Sequence, residues 1–169
     1  MKASFILRLR AFLLDYVLII FYLIALLLLS LFVIPDLQHF FNGASLFMRQ
    51  FAGFMLVTFP VSLYFILSDS KIGRQSFGKK KLRIQVVDIN GKSVSVLRMT
   101  FRTFLKFLPW ELSHFFVYQI TAGNDNTAFL IVFGALIYGL MLLYILTAVF
   151  TKDRQSVYDT IAKTKVIKV

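Results

Sequence analysis

Two stretches of twenty-four residues, "AFLLDYVLIIFYLIALLLLSLFVI" (11–34) and "TAFLIVFGALIYGLMLLYILTAVF" (127–150), hold one charge between them, at Asp15. A hydrocarbon layer of ~30 Å takes ~20 helical residues at ~1.5 Å each, so either run can cross it. Lipid offers no hydrogen bonds to a bare backbone, which leaves the helix as the form such a run can take alone. Composition agrees. Of the 169 residues, 59% are hydrophobic and 16% charged, where soluble domains carry about 25% charged. Twenty phenylalanines add more apolar surface than a compact soluble core could bury. The chain reads as one integral membrane domain, 1–169.

Two further runs are less plain. "FAGFMLVTFPVSLYFIL" (51–67) is near the short limit and carries Pro60, which predicts a kink. "TFLKFLPWELSHFFVYQIT" (103–121) is interrupted by Lys106, Pro109, Glu111, His114 and Gln119. It predicts an amphipathic helix on the membrane surface up to Leu108, a break at Pro109, and a sheltered crossing from Trp110. The expected spans are therefore about 9–34, 48–68, 109–121 and 127–150. The basic N-terminus resembles a signal peptide, but its apolar run exceeds the ~7–15 residues of a cleavable core, so it is expected to stay as the first span.

Charge placement sets the expected topology. With four crossings, eighteen of the nineteen lysines and arginines fall on one side, in 1–10, 68–108 and 151–169, and only Arg49 on the other. The positive-inside rule then places both termini in the cytoplasm. Three crossings would send Lys152, Arg154, Lys163, Lys165 and Lys168 outside. The net charge of +11 is thus a topology signal, and nucleic acid is not an expected partner. Cysteine is absent, which excludes disulfides, thiolate nucleophiles and cysteine metal sites.

Between the second and third spans, "KLRIQVVDINGKSVSVL" alternates Leu82, Ile84 and Val86 with Arg83 and Gln85 and turns at Asn90-Gly91. That pattern predicts a small cytoplasmic β-hairpin over about 82–97, its apolar face on the helices or the membrane surface. No internal repeat stands out. The fold class is an all-α integral membrane protein: a four-helix transmembrane bundle with this hairpin and an amphipathic interfacial helix before the third span.

Asp15 lies about 6 Å inside the apolar run, where a carboxylate costs up to ~2.5–3.5 kcal/mol unless paired. Its helical neighbours Ala11, Phe12, Leu18 and Ile19 cannot pair with it, and Arg8 stands seven residues back, so a partner from another segment is expected. One source is the stripe Arg98, Arg102, Lys106, spaced i, i+4, i+8. That stripe fits a snorkelling amphipathic helix, a pairing with Asp15 or Asp159, a substrate or ion role, or anionic inner-leaflet headgroups. Glu111 and His114 form an E-x-x-H pair. Di-metal bundles need two such pairs and further glutamates, and this chain has one glutamate and two histidines. Metal and cofactors are not expected; a polar contact within the bundle, or a protonatable pair on a proton or ion path, remain.

"GRQSFGKK" (73–80) fits a phosphate loop except that Lys80 replaces Ser or Thr and no strand precedes it, so Gly73 and Gly78 are read as turn residues. Ala135 and Gly139 give a small-xxx-small face for helix packing. No nucleophile meets a base, and no enzyme activity is expected.

"RLRAFLLD" with Arg8, Ala11 and Asp15, the stretch "GRQSFGKKKLRIQVVDINGKSVSVLRMTFRTFLKFLP", and the tail "RQSVYDTIAKTKV" with Asp159 together resemble the RDD family of membrane proteins, named for one arginine and two aspartates. Three lysines after Gly78 and the polar Trp110-Glu111 after Pro109 depart mildly from its pattern. The resemblance implies a bacterial cytoplasmic membrane protein and a transport role, with sodium–proton exchange suggested for some members. The expected site is a charged cluster of Arg8, Asp15 and Asp159 supported by Arg98, Arg102 and Lys106. The expected function is passage of protons or small cations past Glu111 and His114, in an oligomer, since four spans are few for a complete transporter. The alternative is a scaffold or partner subunit whose basic cytoplasmic face binds anionic lipid or another membrane protein.

Overall fold

The computed structural model describes residues 2–33, 43–151 and 154–169. Helix α1 (Phe5–Leu28) starts on Ser4, whose side chain accepts the Leu7 N–H, the usual role of a capping serine. A π-helical turn, Leu29–Val33, continues it. Helix α2 runs Leu46–Asp69. Then come α3 (Phe77–Lys81), β1 (Ile84–Asp88), α4 (Val96–Thr121), α5 (Thr127–Phe150), α6 (Val157–Ile161) and β2 (Thr164–Lys168). Ile34, the expected end of the first span, and Lys152, counted with the basic tail, lie outside the described residues.

Phe5–Phe32, Leu46–Asp69 and Thr127–Phe150 are long and apolar enough to cross a membrane. Helix α4 is too polar to join them by composition, yet it lies antiparallel along the whole of α2. Phe107 meets Phe65 at 5.7 Å between ring centroids, Thr58 bonds Glu111, and Tyr118 lies against Gly53.

The expected break at Pro109 does not occur, because α4 is continuous through it. Proline has no N–H for the carbonyl four residues back. Here the Tyr144 hydroxyl of α5 donates to that carbonyl, Leu105 O, at 2.8 Å. The same device serves the second span, where Tyr22 of α1 donates to Leu56 O, four residues before Pro60. A π-helical segment, Phe54–Thr58, sits immediately ahead of Pro60 and widens the ladder there.

The expected hairpin is also corrected. The Asn90-Gly91 turn exists, with Gly91 at φ 83°, but its return arm makes a single bridge, Val87 to Ser93. Ser95 then caps α4 by accepting the Arg98 N–H, and the strand ends. The true partner of β1 is β2, antiparallel, with Val86 opposite Val166. Its apolar face, with Ala3, Ala11, Val94 and Met99, forms the most deeply buried cluster.

An internal repeat, invisible in composition, emerges from this geometry. Arg74-Gln75-Ser76 and Arg154-Gln155-Ser156 are identical and eighty positions apart. Both arginines have positive φ, 67° and 50°, as do Arg83 and Lys163, 52° each. Each serine stands at the N-terminal boundary of a five-residue helix. Gln75 donates to Ile84 O at 3.0 Å and Gln155 to Thr164 O at 2.7 Å. Ser4 and Ser95 cap the first long helix of each half. The bridge of Lys2 to Ile167 mirrors that of Ser93 to Val87. Residues 2–88 and 93–168 are two copies of one plan, related by a pseudo-two-fold through the Val86–Val166 pair, with both first helices leaving the same end, as in parallel membrane repeats.

The Ala135–Gly139 face does not serve as a close contact within the chain. A side chain at Gly139 would meet nothing, whereas Gly134 lies against Phe116 of α4.

Candidate functional site

The sequence-read charged residues gather at the end of the molecule that carries the sheet, but in two separate arrangements. Asp159 is fully buried. It accepts from Arg8 Nη1 at 3.0 Å and from Arg102 Nε at 2.8 Å, with Arg102 Nη2 2.7 Å away. The short helix α6 thereby ties α1 to α4. Tyr158, next in the chain, lays its ring 5.1 Å from the Arg102 guanidinium. The Tyr158 hydroxyl is pushed up to about 12, by burial first and then by Asp159.

Asp15, also fully buried, is not held by cations, contrary to the sequence expectation. Its carboxylate accepts from Tyr64 Oη at 2.8 Å, Ser76 Oγ at 2.7 Å and the Gly78 N–H at 2.7 Å. Three neutral donors satisfy it because α3 packs directly onto α1: a Cβ on Gly78 would fall on the Ala11 carbonyl oxygen. The glycine read as a turn residue is there for close approach. Ser76 passes the contact on, since Lys79 Nζ lies 3.1 Å from its hydroxyl and 2.7 Å from Asp69. Asp69 also accepts the Ser76 N–H at 3.0 Å.

The basic stripe divides three ways. Arg98 reaches Asp88 at 4.0 Å on the surface. Arg102 joins Asp159. Lys106 meets no carboxylate at ion-pair distance among the described residues, and its ammonium stands 5.0, 4.1 and 5.1 Å from the ring centres of Phe12, Phe65 and Phe107. Sequence reasoning missed Tyr64, Asp69, Ser76, Lys79 and Tyr158. The repeat is the signal that could have found them, since Lys79 stands eighty positions before Asp159 and Tyr64 eighty before Tyr144.

Glu111 and His114 lie away from this end. Thr58 Oγ1 donates to Glu111 at 2.8 Å, and His114 Nδ1 is 3.8 Å from the same carboxylate oxygen. Trp110 packs edge-on to the His114 ring at 4.9 Å.

A family profile described as the RDD family matches residues 2–163. The chain belongs to the RDD family. No curated protein and no solved structure matches it. Family membership and the apolar helices together make it an integral membrane protein. In this RDD-family chain, Arg8 and Asp159 of the sequence signatures are a direct ion pair, while Asp15 belongs to the neighbouring, neutral-donor site.

Three cavities follow one seam along α1 and α4, closed by α5 and α6 at the sheet end and by α2 further along. The first, about 180 Å³, is lined by Arg8, Phe12, Lys79, Arg102, Lys106 and Tyr158 among others. Phe12 also borders the second, about 50 Å³, which reaches Thr58 and Trp110. Leu23 and Val57 are shared between that one and a third of about 400 Å³, which holds Arg49 and Tyr118.

Proposed function

We propose that this protein carries protons across a bacterial cytoplasmic membrane, with four crossings and both termini inside. The positive-inside distribution of lysine and arginine supports that orientation. The fourth crossing is supported by the course of α4, which accompanies α2 through its full depth; twenty-six residues span about 39 Å at helical rise. The observation that carries the functional reading is the Glu111–Thr58 hydrogen bond, with His114 one turn on, beside the middle cavity that Thr58 and Trp110 line, with a further cavity on either side of it along the seam. Ionisable groups within membrane helices are costly and mark ion and proton paths.

Protons suit the seam better than metal cations. Its inner cavity is lined by Arg8, Lys79, Arg102 and Lys106, which would repel a sodium ion, whereas a proton can be handed on by groups that exchange it. The test is dye-reported proton flux in proteoliposomes under an imposed pH gradient. Wild type should dissipate the gradient faster than empty vesicles, and Glu111→Gln should slow it at least about tenfold. A wild type indistinguishable from empty vesicles would overturn the transport reading.

A further inference from the structure

Counted from the capping serines, Asp15 and Lys106 occupy the same place, each eleven residues on from Ser4 or Ser95. In the first half that place is filled: glycine lets α3 close on α1, and Asp15 takes three donors. In the second half Tyr158 stands where Gly78 does, holding α6 off, and a cation replaces the carboxylate. The result is the cavity of about 180 Å³, far above the ~10–15 Å³ that one water needs.

Its charges are unbalanced. Arg8, Lys79, Arg102 and Lys106 line it, and the carboxylates in direct contact with them are Asp69 and Asp159. Arg8 gives only Nη1 to Asp159; its Nε and Nη2 are buried with no acceptor among the described residues. Those two nitrogens form one edge of the guanidinium, the fork that takes two oxygens of a single anion. A buried donor left unmatched is costly, so a site that keeps two calls for an explanation. The cavity also borders Leu9 and Ile145, both about half exposed, so its rim between α1 and α5 is apolar.

We propose that this cavity binds a phosphate group, gripped by the free edge of Arg8 and by Lys106, with Arg102 and Lys79 completing the positive wall. Four cationic side chains round one cavity suit a phosphate group, which offers more acceptor oxygens than a carboxylate's two. The apolar rim suits a lipid whose headgroup enters while its chains stay outside; free phosphate shares the same chemistry. Lys106 faces Lys79 of α3, Arg102 of its own helix, Asp69 of α2 and Asp15 of α1, with Tyr144 of α5 and Tyr158 of α6 on the same wall.

The test uses the full chain, delipidated in a neutral detergent, with binding read from thermal stability. The probes are inorganic phosphate and short-chain phosphatidylglycerol, with phosphatidylcholine as control. Stabilisation by phosphatidylglycerol alone identifies a lipid headgroup site, and stabilisation by both identifies a general phosphate site. Stabilisation by neither, or by phosphatidylcholine equally, overturns the proposal. Lys106→Met should leave the ligand-free protein as stable or more so, while weakening binding about tenfold or more, the scale of one charged hydrogen bond. Arg8→Lys, which keeps a cation for Asp159 but removes the fork, should weaken it similarly. Unchanged affinity in both variants would sink the site. Proton flux is read separately, so a null here leaves the transport reading standing.

Discussion

The two halves share caps, turns, a short helix and a strand, and differ where each short helix meets the first long helix of its own half. In the first, Gly78 brings α3 against Ala11, and Asp15 is satisfied by Tyr64, Ser76 and a backbone N–H. In the second, Tyr158 lies over Arg102, Asp159 holds two arginines, and Lys106 is left among three phenylalanine rings. One copy has become a sealed joint and the other a charged cavity. Four residue exchanges at the contact separate them: Gly78 for Tyr158, Lys79 for Asp159, Ala11 for Arg102, and Asp15 for Lys106.

Breaking the second half's clamp should have the largest effect. Asp159→Ala strands Arg8 and Arg102 together, and removing one partner of a buried ion pair costs about 3–5 kcal/mol; thermal unfolding in detergent should fall accordingly. Gly78→Ala comes next, because the new methyl would strike backbone, which cannot yield as a side chain can. It should destabilise by several kcal/mol, whereas Gly139→Ala, with open space around it, should change little. A Gly139→Ala variant as damaged as Gly78→Ala would contradict the packing described. Asp15→Asn keeps an acceptor but sets an NH2 group against existing donors, at about 1–3 kcal/mol.

Smaller effects sharpen the comparison. Tyr144→Phe and Tyr22→Phe each expose one proline-orphaned carbonyl, at about 1 kcal/mol, without breaking either helix by circular dichroism.

Much of this was legible from residue order. The apolar spans follow from length and composition. Arg8 and Asp159 stand out because charges beside lipid must find partners. The hairpin was misread because its turn signal is genuine and local, while the strand that completes the sheet lies eighty residues away and is chosen by the pseudo-two-fold. The break at Pro109 was misread because a tyrosine on another helix supplies the missing donor. Asp15 was matched to arginine because charge alone does not reveal a glycine that brings an N–H within reach. The repeat escaped notice since one tripeptide carries its identity and the rest is backbone conformation.

The contrast between a sealed first-half joint and a charged second-half cavity is most directly tested by the two lysines on the cavity wall. Brief acylation near pH 7 with a small anhydride, followed by peptide mass spectrometry, reports how readily each amine reacts. Lys79, locked to Asp69 at 2.7 Å, should react slowly, and Lys106, with no carboxylate at ion-pair distance among the described residues, should react well ahead of it. Equal rates, or Lys79 ahead of Lys106, would contradict the account.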